Sequence, residues 1–260
     1  MEKDEFFIGY VDKVGTRTKK SLKQFVFLVL SVVIVTALLF AFFQKPAVNS
    51  SFDFGNPTKV SGIYHESPYP MLRVRLAAGE YKDIVLLGVG KFGPNPYLKE
   101  IREKEGDIGN KALTIEGQLI YYNGKTLLEI DDGQKVSLGN LPQAEIVTEQ
   151  LGVVEVEGEI VDPKCYFGVM KPGHGKIHRS CAALCILGGI PPVLVASDKD
   201  GMANYFLLTD LKGNPIHKDI IPYIGQPSLV QGAVQKTGDW HTMRIDVTQI
   251  KRMDKKSEIY

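Results

Sequence analysis

Nineteen consecutive positions, Phe25 to Phe43 (FVFLVLSVVIVTALLFAFF), carry no charge, Pro, Gly or amide side chain. At 1.5 Å per residue a helix over them spans about 28 Å, close to the ~30 Å hydrocarbon core of a bilayer. In lipid a single segment can satisfy its own backbone polar groups only as a helix, so the run predicts one transmembrane helix at 25–43. The flanks differ in charge. Lys13, Arg17, Lys19, Lys20 and Lys23 precede the run with no acid after Asp12, whereas beyond it Lys45 stands alone until Lys59. The positive-inside rule then places a basic tail, residues 1–24, in the cytoplasm and the larger C-terminal part outside, as in a single-pass inner-membrane protein with a periplasmic bulk. The run is longer than a signal-peptide core, and QKPAVNSSFDF after it lacks an A-x-A site, so it reads as an uncleaved anchor.

After a polar linker at 44–56, rich in Pro, Ser, Asn and Gly, the periodicity changes. Short apolar runs with alternating positions are separated by turn residues at close spacing, which predicts a mainly β outer part. It falls into two similar halves. IGNKALTIEGQLIYYNGKTLLEID (Ile108 to Asp131) parallels IGQPSLVQGAVQKTGDWHTMRID (Ile224 to Asp246): an Ile-Gly turn, a strand crossing a Gly, a Gly-containing hairpin turn, and a strand ending in Ile-Asp. The opening strands correspond too, TKVSGIYHES against VEVEGEIVDP. Each half then carries a hairpin followed by a short segment read as helical, PNPYLKEIREKEG in the first and PIHKDIIPYIG in the second.

Strand, hairpin, helix, hairpin is the element order of the OB-fold, and the outer part resembles two such barrels in tandem, at 57–140 and 151–253. Gly62 and Gly117 in the first half, and Gly158 and Gly232 in the second, stand within strands where a small barrel must bend. One larger β-sandwich of some ten strands is the alternative architecture. The turns Asp131-Asp132-Gly133 and Asp198-Lys199-Asp200-Gly201 place Gly where positive φ is needed.

Charge adds one exclusion. The chain has 31 Lys+Arg and 30 Asp+Glu; residues 1–45 hold seven basic and four acidic side chains, which leaves the outer part slightly acidic. Such a surface offers no net attraction to nucleic acid, so no nucleic-acid partner is expected.

The second half contains a segment the first lacks, Asp162 to Pro192 (DPKCYFGVMKPGHGKIHRSCAALCILGGIPP). All three cysteines, Cys165, Cys181 and Cys185, lie in it, with His174 and His178 of the five histidines. KIHRSCAALCIL has no helix breaker, and Gly188-Gly189 with Pro191-Pro192 would stop it. At about 100° per residue, His178, Cys181 and Cys185 share a ~60° arc of that helix, and Cys165 at the end of the preceding strand can approach the same face. Three sulfurs and an imidazole suit a closed tetrahedral Zn²⁺ site, and soft thiolates equally suit Cu⁺. His174, between glycines, is a fifth candidate donor or a loop residue. A disulfide is the competing reading: Cys181 and Cys185, four apart on a helix, are poor partners, but Cys165 can bridge to either. The spacing C-x12-H-x2-C-x3-C matches no zinc-finger or haem-attachment pattern, and PGHGK lacks the phosphate-loop spacing. With no nucleophile elbow, H-E-x-x-H or C-x-x-C, there are no residues on which to rest a catalytic claim.

An N-terminal anchor followed by an OB-like barrel resembles the haem chaperone of cytochrome c maturation. The resemblance is one of plan, because that family's haem-attaching histidine motif is not found here. It implies an accessory protein of an extracytoplasmic metal, haem or electron-transfer system. The alternative is an interaction module of a membrane complex whose insertion is held by a disulfide.

Overall fold

A computed structural model of the protein describes residues 15–43, 49–77, 79–142, 147–197 and 203–253. The first part of the basic tail and the turn at Asp198–Gly201 lie outside the described residues. Helix α1 (Thr16–Phe43) is long and apolar enough to cross a membrane. It begins well before Phe25, with Arg17, Lys19, Lys20 and Lys23 on its first two turns, because Lys, Leu and Gln are good helix formers. Its polar Ser31 donates its hydroxyl to the Phe27 carbonyl one turn back at 2.8 Å, so the group needs no water.

The outer unit opens with a short strand β1 (Ser50–Phe52), followed by β2 (Thr58–His65), β3 (Met71–Arg75) and β4 (Tyr81–Gly88). Helix α2 (Asn95–Glu105), β5 (Ala112–Tyr122), β6 (Lys125–Ile130) and β7 (Val136–Leu138) complete the first half. Strand β2 pairs β3, β3 pairs β4, β4 pairs β6 in parallel, β6 pairs β5, and β5 returns to β2. That circuit closes a five-stranded barrel. The second half repeats it with β8 (Thr148–Val161), β9 (Val193–Ser197), β10 (Ala203–Thr209), β11 (Pro227–Thr237) and β12 (Trp240–Ile245), again closed by one parallel pair, β10 with β12. A two-residue strand β13 (Lys251–Arg252) pairs antiparallel with the start of β11. The tandem-barrel expectation therefore holds, and the single-sandwich alternative does not.

The four strand glycines have a steric reason. A Cβ on Gly62 would fall against the Arg73 carbonyl on β3, and one on Gly158 against the Val195 carbonyl on β9. Gly117 meets the Glu129 carbonyl on β6, and Gly232 the Arg244 carbonyl on β12, so the first and fourth strand of each barrel is tight at the equivalent place. We expect Gly117→Ala to cost about 2–3 kcal/mol through displaced backbone. Urea unfolding would check it, and a loss below ~0.5 kcal/mol would mean the barrel does not need the close approach.

The two barrels are plugged differently. Leu98 and Ile101 of α2 enter the core of the first barrel, among Leu72, Leu86 and Leu113. The expected counterpart PIHKDIIPYIG forms only a 3-10 turn at Ile221–Tyr223, since Pro222 has no amide hydrogen for a helix interior. Its place is taken by α3 (Gly175–Leu187), the helix within 162–192, whose Ala182 and Ile186 pack with Ile160, Leu194 and Ile220. The segment read as an insertion is thus part of the second core.

A third apolar cluster lies between the barrels. Along β4, Ile84 and Leu86 point into the first barrel while Val85 and Leu87 point out, and these outward residues are also fully buried. They meet Val193, Val195, Tyr205, Leu207 and Trp240 of the second barrel. Polar bonds clasp the same seam: the Tyr69 hydroxyl donates to the Leu208 carbonyl at 2.5 Å, and the Trp240 Nε1–H donates to the Asp83 carbonyl at 3.0 Å. Asp239 accepts the Asp83 amide at 2.8 Å.

Candidate metal centre

Strand β8 ends at Val161, and Asp162-Pro163-Lys164 turns the chain into a π-helical turn, Cys165–Val169. Asp162 is fully buried and holds two elements at once. Its Oδ1 accepts the Cys165 amide at 2.8 Å, which fixes the turn, and its Oδ2 lies 3.0 Å from His178 Nε2 on α3. With the carboxylate as acceptor, Nε2 carries a hydrogen. This is the carboxylate–histidine arrangement that orients imidazole ligands in metal sites.

Two triples of ligand atoms come together among the described residues. Cys165, His178 and Cys181 have ligand atoms all within 4.8 Å of one another, as do Asp162, Cys165 and Cys185. Donors around a tetrahedral Zn²⁺ with bonds of ~2.1–2.3 Å are about 3.5–3.8 Å apart, so small side-chain shifts bring either triple onto one ion. Cys165 belongs to both. Cys185 Sγ is hydrogen-bonded to both other sulfurs, so all three thiols form one patch. Cys165, Cys185 and His178 are buried and Cys181 is half-exposed, which makes Cys181 the opening of the site.

The sulfurs divide their roles. Cys165 donates to Cys185, and that bond together with burial raises the Cys165 thiol far above the ordinary range. The same bond lowers Cys185, assisted by the nearby Lys91 charge. Lys91 reaches across from the first barrel and places Nζ 3.0 Å from Cys181 Sγ, a contact that raises the lysine in turn.

The loop carrying Lys91 is fixed by close packing and by a buried charge. Gly93 donates its amide to the Gly188 carbonyl at 2.8 Å, and a Cβ on Gly188 would collide with the Lys91 carbonyl. Lys164, next to Cys165, is buried; it pairs with Glu129 of β6 and donates to the carbonyls of Gly88 at 2.9 Å and Gly90 at 2.8 Å. The centre is therefore built at the seam, with ligand candidates from the second half and a cationic rim from the first.

Of the sequence candidates, Cys165, His178, Cys181 and Cys185 are brought together, and His174 stands apart. His174 occupies the N-cap position of α3 with its ring edge on Tyr166, centroids 6.0 Å apart, and belongs to neither triple. Arg179 of α3 donates to the Pro222 carbonyl at 3.0 Å. Sequence reasoning missed Asp162, whose only signal was its place three residues before Cys165. It also missed Lys91, Glu129 and Lys164, for which spacing offered none.

Fold and site together define a class: a mainly β protein of two closed five-stranded barrels behind an apolar N-terminal helix, with a Cys/His cluster compatible with a metal at the barrel seam. No protein-family model matches the chain. A stretch of 144 residues, 55% of the chain, is 27% identical to part of the DNA-directed RNA polymerase subunit beta' of Buchnera aphidicola subsp. Cinara cedri (strain Cc). That match takes in 9% of the polymerase subunit's length.

Proposed function

We propose that this protein is a membrane-anchored, extracytoplasmic accessory protein of a metal, haem or electron-transfer system, holding Zn²⁺ or Cu⁺ at Cys165, His178 and Cys181, with Cys185 as the fourth donor. The observation that carries this reading is the Cys165–His178–Cys181 triple, with the imidazole held by Asp162 at 3.0 Å. Thiols must lose their protons to bind a metal, and the nearby Lys91 charge favours that loss at Cys185. The charge asymmetry about α1 supports a cytoplasmic N-terminus and a periplasmic bulk.

A role outside nucleic-acid binding is favoured by the use of the barrel faces. OB-folds bind oligonucleotides over their second and third strands. Here β3 and β4 of one barrel and β9 and β10 of the other contribute buried residues to the cluster between them.

One specific contact favours a second reading. Cys165 and Cys185 are hydrogen-bonded neighbours, so an oxidising compartment can join them as a disulfide and leave Cys181 free. The protein would then be a stapled interaction module of a membrane complex. Metal analysis with a parallel thiol count on anaerobically purified protein separates the two. About one equivalent of zinc or copper, with thiols protected until chelation and lost in Cys181→Ser, is the expected result. Metal content unchanged in that variant, or no metal with one free thiol, would overturn the metal reading.

A further inference from the structure

A second place at the seam has no role in the thiol cluster. A cleft of ≈ 350 Å³ opens between the barrels, lined by His65, Arg73 and Asp83 from the first and by Trp240, Thr242 and Arg244 from the second, with Lys212 at its rim. Its charge is one-sided. Arg73, Lys212 and Arg244 face a single carboxylate, Asp83, and that carboxylate is already engaged by Arg73 through a buried two-point contact of 2.8 and 2.7 Å.

Arg244 is the exception among these cations. Its Nε is buried from solvent and has no hydrogen-bond partner among the described residues. Across the same cleft His65 Nε2 is likewise buried without a partner, while its Nδ1 is held by Asn110 Oδ1 at 3.2 Å. Buried polar atoms left unpaired cost about 1–3 kcal/mol each, and both of these belong to side chains that line the one cavity. A guanidinium offers a planar fork of donors that matches a carboxylate or phosphate. Thr148 and Thr242 add hydroxyls to the same lining.

We propose that the inter-barrel cleft is a binding site for a small organic anion, a carboxylate or a phosphate ester, with Arg244 as its anchoring cation. The volume lies at the lower end of the ~300–1,000 Å³ typical of small-molecule sites and admits a compact polar ligand. None of the thiol or imidazole ligands of the metal centre lines the cleft, so the site stands or falls independently of the metal reading.

The test uses the full chain in a non-ionic detergent, with inorganic phosphate and citrate as probes, by calorimetry and by the fluorescence of Trp240. That residue is the single tryptophan of the chain and lines the cleft. Saturable binding of phosphate alone identifies a phosphate ester as the ligand type, and of citrate alone a carboxylate. Arg244→Gln should weaken the binding at least about tenfold, as expected for a lost charge-assisted contact. Lys212→Gln, outside any strand, should weaken it several-fold, and Lys99→Gln, an equal change of charge on α2 away from the cleft, should leave it unchanged. No saturable heat or fluorescence change with either probe, the same response to sodium chloride at matched ionic strength, or an affinity in the Arg244 variant equal to that of the parent would overturn the proposal.

Discussion

Lys164→Met is expected to destabilise the outer unit by about 3–5 kcal/mol, one of the two largest effects anticipated for any single substitution. The Lys164 ammonium is almost fully enclosed, and its partners among the described residues come from the other barrel: Glu129, the Gly88 carbonyl and the Gly90 carbonyl. Met keeps the stem and its packing but leaves Glu129 as a buried carboxylate without its cation. The cost is that of stranding a charge, so it should largely vanish when both partners are replaced. Lys164→Met with Glu129→Leu is expected to recover most of the lost stability. Urea unfolding followed by Trp240 emission measures both, since that indole is in the same seam. A single-variant loss under ~1 kcal/mol would show that water reaches the pair and that it contributes no more than a surface ion pair.

Cys165→Ser should have the largest effect on metal binding, because Cys165 is common to both triples. Whichever triple holds the ion, this variant removes one of its sulfurs, and affinity should fall on the order of 100-fold or more, beyond what loss of an outer-sphere partner costs. The other variants then distinguish the triples. Loss in Cys181→Ser with only a partial drop in Asp162→Asn points to the Cys165–His178–Cys181 set. A drop of about 10–100-fold in Asp162→Asn is expected from its hold on His178 Nε2. Competition with a chromophoric chelator reads all of these on one scale. Equal affinity in Cys165→Ser and the parent would remove the thiol patch as the metal site.

The buried seam also explains why the candidate site was only half legible. His178, Cys181 and Cys185 were readable as one face because helical spacing is a local property, and α3 forms from residues adjacent in sequence. Asp162 joins them by a contact between the end of β8 and α3, which no periodicity encodes. Lys91 is 90 residues from Cys181, and its approach depends on two glycine pairs that let backbones touch, Gly93 with Gly188 and Gly189.

The apolar helix, the strand order of both halves and the four barrel glycines follow from hydrophobic period and turn chemistry, which act over a few residues and so are written along the chain. The double-sided burial of β4, the Lys164–Glu129 pair and the replacement of the missing second-barrel helix by α3 are of another kind. They arise only when two closed barrels meet and each side chain finds partners from a distant segment. An outward Val or Leu on a strand looks the same in sequence whether it faces solvent or a neighbouring barrel. Only the tertiary structure, by removing that surface from water, decided that the barrels share a core and that the Cys/His cluster sits where they join.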